Sequence, residues 1–207
     1  MGLLQRLWLQ HRFRHSKHAQ LFAPPLPDEW VALDFETTGL NPQRAEIVAI
    51  GALRIRHNHI LLSESLNLRL TPPASLQADS VVIHQLRHQD LQQGCSIEQA
   101  LAQLLAFIGN RPLVGYHIRY DAHILNRYCR ELYGFRLPHQ QIEVSTLYHD
   151  RVFHQLPDAL IDLGLDNICR HLGLPLLAKH DALNDALTAA LIFLRLRYGS
   201  RISHPKV

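Results

Sequence analysis

Short apolar runs and stretches of helical spacing succeed one another along the chain. The first third contains three β-branched, partly alternating segments that have the pattern of strands, and the link His57-Asn58-His59 between the second and third fits a hairpin. The three predicted strands span residues 30–36, 45–56 and 60–70. We therefore expect the main domain to begin with a three-stranded meander.

Helical and strand patterns are interleaved in the rest of the chain. Ser96, with Gln99 three residues later, resembles a capping box and predicts a helix through Phe107 that ends at Gly109. The remaining predicted helices span 84–91, 121–133, 163–172 and 181–198, and the remaining strands 112–116 and 141–147. This order predicts an α/β domain with a mixed five-stranded sheet flanked by helices.

The N-terminal segment differs from the rest of the chain because it is basic and then rich in proline. Its apolar residues form a possible stripe of a short helix; these are Leu3, Leu4, Leu7 and Trp8. We interpret residues 1–28 as a basic extension and Pro-rich linker, 29–200 as one domain and 201–207 as a short tail. We favour an extension that packs on the domain or frays in solvent; a basic arm that touches nucleic acid, a partner or a membrane surface is the alternative.

Composition limits the classes of function. The 207 residues are 47% hydrophobic, enough for a full core, and the formal charge of +3 permits nucleic acid as a partner without requiring it. Cys95, Cys129 and Cys169 are far apart and odd in number, so we expect no disulfide framework and a reducing cytoplasm. No stretch approaches the length of a membrane span, and the N-terminus lacks the apolar run of a signal peptide.

Two carboxylates interrupt the first predicted strand. Asp34 and Glu36 are two residues apart, so both side chains lie on the same face of the strand. Like charges in a half-buried strand repel each other and lose hydration, which a fold tolerates readily only when a cation compensates them. Oxygen ligands without cysteine suit magnesium or manganese. A solvated acidic strand end is the alternative on this segment alone.

Two later segments add further candidates. Asp121 follows a predicted strand at the start of a helix, where a helix cap is the simpler interpretation. Asp185 lies in the first turns of the last helix among alanines, so it is a candidate buried acid, while Asp181 suits the N-cap. His180 precedes that helix on a loop, and its ordinary pKa near neutrality makes it a candidate proton acceptor if a cleft is present. A loop histidine is more often a surface residue.

Taken together, these residues resemble the DEDD superfamily of 3′→5′ exonucleases, in its histidine-bearing (DEDDh) variant. The first motif of that family, D-x-E-T-T-G-L, is matched by residues 34–40. The second, an acid after an apolar strand, is matched by Asp121, and the third, H-x4-D, by His180 and Asp185. The chain is most similar to the exonuclease (epsilon) subunit of bacterial DNA polymerase III and its free-standing relatives, over about residues 30 to 197.

The resemblance implies a ribonuclease H-like fold and two-metal hydrolysis with Mg²⁺ or Mn²⁺. It implies that Asp34, Glu36 and Asp185 hold one ion, that Asp34 also contributes to a second, and that Asp121 supports the second. His180 would act as general base, and the products would be a nucleoside 5′-monophosphate and a strand shortened at its 3′ end. The residues implied in substrate binding are Thr37, Thr38, Gly39, Leu40 (a wedge under the last base) and His84.

The chain departs from the family pattern around the second motif. Family members often carry His-Asn and then Phe before the acid, where this chain has Tyr116-His117 and Tyr120, and an Asp where it has Glu143. We expect these changes to affect substrate fit and not metal binding. No polymerase- or clamp-binding tail is recognisable after residue 198, so we do not expect association with a polymerase.

Three alternatives remain open at this point. We favour the 3′ end of single-stranded DNA as substrate. The sequence does not exclude an RNA-directed enzyme such as an oligoribonuclease-like trimmer, because recognition of the 2′-hydroxyl depends on pocket geometry. A catalytically silent nucleic-acid-binding module is less favoured because all four acids and His180 are retained. A phosphatase with a D-x-D nucleophile is disfavoured by Glu36 at the second acidic position.

Overall fold

Five strands form one mixed sheet in the protein, whose structure is a computed structural model that describes residues 3–73, 91, 93–154 and 161–199. The strands are β1 (Glu29–Thr37), β2 (Ile47–Arg56), β3 (His59–Arg69), β4 (Leu113–Gly115) and β5 (Gln141–Glu143). Their order across the sheet is β3-β2-β1-β4-β5. The first three pair antiparallel as a meander, and β4 and β5 add in parallel beside β1. The predicted mixed five-stranded sheet is confirmed.

Helices cover both faces of this sheet. The described residues contain α1 (Leu3–Phe13), α2 (Ile97–Ile108), α3 (Ile118–Tyr133), α4 (Val144–Phe153), α5 (Leu165–Leu172) and α6 (Ala182–Tyr198). The predicted capping box of α2 is present, since the Ser96 side chain accepts from the Gln99 N–H and the Gln99 side chain accepts from the Ser96 N–H. Within these residues no helix is both long and apolar enough to cross a membrane.

Alternation along β1 divides the core into two layers. Val31, Leu33 and Phe35 face the layer that holds α2 and α3, whereas Trp30 and Ala32 face the layer that holds α4, α5 and α6. Because side chains alternate with a period of two, Asp34 and Glu36 continue the second set toward the end of the strand. The two carboxylates therefore lie beneath α6.

The predicted fifth strand, 141–147, is wrong beyond Glu143. The strand ends there, and helix α4 begins at Val144. The Glu143 carboxylate accepts hydrogen bonds from the Ser145 N–H (3.3 Å) and hydroxyl (2.9 Å) and so caps a helix. The β-branched residues Val144 and Thr146 favour a strand. The cap and the burial of Val144 stabilise the helix instead.

The N-terminal extension packs on the domain. Leu9, Leu21 and Phe22 are buried in the layer of α2 and α3, and the Phe13 and Phe22 rings lie 5.0 Å apart. Leu7 and Trp8 of the predicted apolar stripe are instead more than half exposed. The buried side of α1 is thus the one that carries Leu9.

Candidate active site

A close approach of α6 to the sheet builds the site. Gly51 on β2 is the register partner of Asp34 on β1, and it lies directly beneath the first turn of α6. A Cβ atom on Gly51 would lie 2.1 Å from the backbone carbonyl carbon and oxygen of Ala182. Only a residue without a side chain permits this contact. The first turn of α6 is fixed in turn by Asp181, whose carboxylate accepts from the Asn184 N–H at 3.0 Å.

This packing brings three carboxylates together. Oxygens of Asp34, Glu36 and Asp185 all lie within 4.8 Å of one another. Asp34 and Glu36 come from one face of β1, and Asp185 from the turn of α6 above Gly51. Such spacing suits oxygen ligands that share one hard divalent cation.

The electrostatics of the cluster call for positive charge. Burial raises the pKa of Asp34 well above its ordinary value, and the charges of Asp121, Asp185 and Glu36 raise it further. Burial, then Asp185 and Asp181, raise the pKa of Glu36 to about 7. Burial also raises the pKa of Asp185. The hydrogen bond that its carboxylate accepts from the His180 backbone N–H lowers this pKa in part. Acids held in this way ionise readily at neutral pH only beside a cation.

Asp121 lies next to this cluster but outside the group of three. Its carboxylate is buried and accepts hydrogen bonds from the backbone N–H groups of Phe35 and of Asp121 itself. Burial still raises its pKa, and the charges of Glu36 and Glu143 add to this effect. Asp121 thus joins α3 to β1, and it belongs to the same field of negative charge as the other three acids.

An open cleft of about 310 Å³ adjoins the carboxylates. Its lining residues are Asp34, Tyr116, Leu165, Lys179, His180 and Asp185. His180 is exposed, has a left-handed backbone (φ 60°), and donates its backbone N–H to Asp185 Oδ2 at 3.1 Å. A left-handed conformation is uncommon for a residue other than glycine and occurs often at functional sites. The predicted loop histidine therefore lies at the wall of a cleft and beside an acid.

The turn after β1 presents the predicted substrate-binding residues. The Thr38 hydroxyl accepts from the Glu46 N–H at 3.0 Å, and the Thr37 hydroxyl donates to the Gly39 carbonyl at 3.1 Å. Leu40 is 89% exposed at the tip. Both threonine hydroxyls therefore help to hold the turn, and the Leu40 side chain is open to solvent. His84, and the predicted helix around it, lie outside the described residues.

The sequence profile of the exonuclease family RNase_T matches residues 31–193, which include all four acids and His180. The chain belongs to the DEDD family of exonucleases. One relative, the PolC-type DNA polymerase III of Thermotoga petrophila, is 30% identical over 166 residues, which cover 80% of this chain but 12% of that protein. The DNA polymerase III subunit epsilon of Aquifex aeolicus is 24% identical over 173 residues, covering 83% of this chain and 81% of that subunit. The matched part of this chain thus spans about an eighth of the length of the PolC-type polymerase.

Solved structures show the same fold. Escherichia coli exonuclease I in complex with a dT13 oligonucleotide matches with a TM-score of 0.67 at 15% identity, over 83% of this chain and 41% of that one. The cell-death related nuclease CRN-4 matches with a TM-score of 0.66 at 18% identity, over 82% and 63% of the two chains. These likenesses confirm the ribonuclease H-like fold expected from the motifs.

Two residues outside the sequence motifs hold the segments around the site through hydrogen bonds. The Glu143 carboxylate accepts from the backbone N–H groups of His117 and Ile118, both at 3.1 Å, and so fixes the start of α3. Arg127 donates to the carbonyls of Pro42 and Ala45 and so holds the β1–β2 loop. Neither contact has a local sequence signal, since the partners are distant in the chain.

We expect the metal-free protein to lose stability as pH rises from about 5 to about 8. Glu36 has a pKa of about 7 in the folded protein and an ordinary value of 4.5. Between these values the folded protein holds a proton that the unfolded chain has released, so the free energy of unfolding falls with rising pH, by about 3 kcal/mol for this group alone. Urea denaturation in EDTA at the two pH values measures the loss.

Manganese and a neutral variant provide the controls for this titration. Mn²⁺ should restore stability at the higher pH and have little effect at the lower one, because it competes with protons for the same oxygens. Glu36→Gln should show a smaller pH dependence in EDTA, because it cannot ionise. Equal pH dependence in the two proteins would contradict the assignment to Glu36.

Proposed function

We propose that this exonuclease is a metal-dependent 3′→5′ enzyme that removes nucleoside 5′-monophosphates from single-stranded DNA. The observation that carries the proposal is the convergence of Asp34, Glu36 and Asp185 within 4.8 Å at an open cleft that His180 also lines. A cleft reached from solvent suits a chain end, and a cluster of desolvated acids suits a divalent ion. The exonuclease I structures with bound oligonucleotide support DNA as the substrate class.

The donor set fits the two divalent ions, Mg²⁺ or Mn²⁺, that the family resemblance implies. Asp34, Glu36 and Asp185 would hold one ion, and Asp34 with Asp121 would serve the second. When bound, such ions neutralise the phosphodiester and lower the pKa of water. Their fit rests on the raised pKa values of all four acids, since each group is destabilised as an anion until a cation is present.

The protein side of the reaction consists of holding the chain end and moving one proton. The turn at 37–40 would receive the terminal nucleotide, with Leu40 packing under its base; a stacking contact of this kind is worth about 1–3 kcal/mol. The His180 imidazole would accept the proton of the attacking water. Its backbone bond to Asp185 keeps the histidine loop beside the acids while the imidazole remains at the cleft wall.

Digestion of labelled oligonucleotides tests the proposal. A 5′-labelled single strand incubated with Mn²⁺ should give a ladder that shortens from the 3′ end, with nucleoside 5′-monophosphate as the released product. EDTA should stop the reaction. Release from the 5′ end, or internal cuts without mononucleotide, would contradict it. An RNA oligomer of the same sequence, run in parallel, tests the alternative of an RNA-directed enzyme, which predicts faster release from RNA than from DNA.

His180→Ala is expected to lower kcat by about a hundredfold or more and to leave Mn²⁺ affinity unchanged. General-base assistance is typically worth about 10² to 10⁴ in rate, whereas the imidazole is not in the ligand group. Oligonucleotide hydrolysis and a Mn²⁺ titration measure the two quantities. His149→Ala, which removes a half-exposed imidazole on α4, should change neither. A fall in Mn²⁺ affinity with His180→Ala would instead assign that residue to metal binding.

A further inference from the structure

Helix α3 holds the turn after β1 through a tyrosine hydroxyl. The Tyr120 hydroxyl donates to the Gly39 carbonyl and lies 2.8 Å from Thr37 Oγ1. Thr37 Oγ1 lies 3.1 Å from the same carbonyl oxygen. Because each hydroxyl has one hydrogen, the two hydroxyls donate two hydrogen bonds within this group of three. A phenylalanine at position 120 would keep the ring but lose both contacts of the hydroxyl.

A second residue of the same helix face holds the far end of the loop. Arg127 is seven residues, about two helical turns, after Tyr120, so both side chains project toward the β1–β2 loop. Arg127 donates to Pro42 O at 3.1 Å and to Ala45 O at 2.5 Å. Leu40, almost fully exposed, lies between these two anchor points. An exposed leucine on a loop anchored at both ends is presented in a fixed position.

We infer that Tyr120 is a positioning residue that fixes the turn at 37–40 in the conformation that receives the 3′-terminal nucleotide. The inference rests on the proposed function. Its physical basis is preorganisation: a turn that is ordered before binding does not lose conformational freedom when the nucleotide arrives. Tyr120 also directly precedes Asp121, so a single segment of α3 places an acid of the site and the turn that holds the substrate.

Tyr120→Phe is the direct test. We expect the KM for a single-stranded oligonucleotide to rise about three- to tenfold, the effect of losing one hydrogen bond, with kcat changed less than about twofold. Mn²⁺ affinity should stay at the wild-type value, because Asp121 keeps its own backbone contacts. Tyr148→Phe is the matched control, since it also removes a hydroxyl bonded to one side chain, His171 on α5, and should leave KM unchanged.

Amide hydrogen exchange gives a measure that does not depend on activity. Exchange at residues 38–41 should be about three- to tenfold faster in Tyr120→Phe than in the wild type, with no change in the paired segments of β1 and β2. Thr37→Val should raise KM by a similar factor, and the double variant should be no worse than either single one if the hydroxyls act as a unit.

The outcomes separate this inference from the proposed function. If Tyr120→Phe changes neither KM nor the exchange rates, the positioning role is wrong. Hydrolysis by the wild type would still support the proposed function in that case. Joint loss of kcat and Mn²⁺ affinity would also overturn it, because the residue would then act through Asp121. Absence of hydrolysis by the wild type would overturn the proposed function itself, whatever the exchange result.

Discussion

Asp34→Asn is expected to lower the rate of oligonucleotide hydrolysis by about a thousandfold or more and, at the same time, to stabilise the metal-free protein. The loss follows because the change removes one of the three converging carboxylates that we propose to hold the ion, and ion stabilisation of the reacting phosphate is worth several kcal/mol. The gain follows because burial and four neighbouring acids disfavour the Asp34 anion, whereas asparagine carries no charge.

The opposite directions of the two effects make this result diagnostic. A substitution that merely disturbs packing lowers both activity and stability, but neutralising a strained anion should raise the melting temperature in EDTA by a few degrees. Hydrolysis assays and thermal melts at about pH 8 measure the pair of effects. Asp150→Asn, an exposed acid on α4, should change neither quantity. Wild-type activity, or a lower melting temperature, would contradict a metal-binding role for Asp34.

Periodicity along the strand was sufficient to place two of these acids. A period of two puts Asp34 and Glu36 on one face, and the structure shows that this face runs on from Trp30 and Ala32 beneath α6. The start of α6 was equally predictable, since Asp181 was identified as its cap and accepts from Asn184. These features depend on contacts within one helix or strand, where the spacing of residues along the sequence determines which side chains share a face or cap the helix.

Contacts between distant segments could not be predicted in this way. Nothing near Tyr120 in the sequence indicates that its hydroxyl meets the Gly39 carbonyl, eighty-one residues earlier. The end of β5 at Glu143 is a similar case, because the carboxylate that caps α4 also holds His117 at the start of α3. Local propensity favoured a longer strand, and a tertiary role of one side chain overrode it.

Gly51→Ala is the second change from which we expect a large effect: a fall in Mn²⁺ affinity and in hydrolysis of about a hundredfold. The new methyl group would lie 2.1 Å from the carbonyl of Ala182 and 2.3 Å from the Leu183 nitrogen. These are backbone atoms of a helix, so relief requires the first turn of α6 to move away from β2. Asp185, three residues after Ala182, must move with it and leave the oxygens of Asp34 and Glu36.

A second glycine separates this effect from simple destabilisation. A Cβ on Gly94 would lie 2.3 Å from the backbone carbon of Leu70, a clash of the same kind at the end of β3, on a segment that carries none of the four acids. Overpacking typically costs about 1–3 kcal/mol, so both Gly51→Ala and Gly94→Ala should lower the melting temperature by several degrees. Only Gly51→Ala should weaken Mn²⁺ binding in a calorimetric titration.

The comparison decides what holds the acids together. If Gly51→Ala weakens Mn²⁺ binding and Gly94→Ala does not, the distance between helix and sheet sets the spacing of Asp185 from Asp34, and a position with no functional group controls the chemistry of the site. If both variants bind Mn²⁺ like the wild type, α6 accommodates the methyl group without carrying Asp185 away. Ion binding would then draw the side chains together, and the contact between Gly51 and Ala182 would serve stability alone.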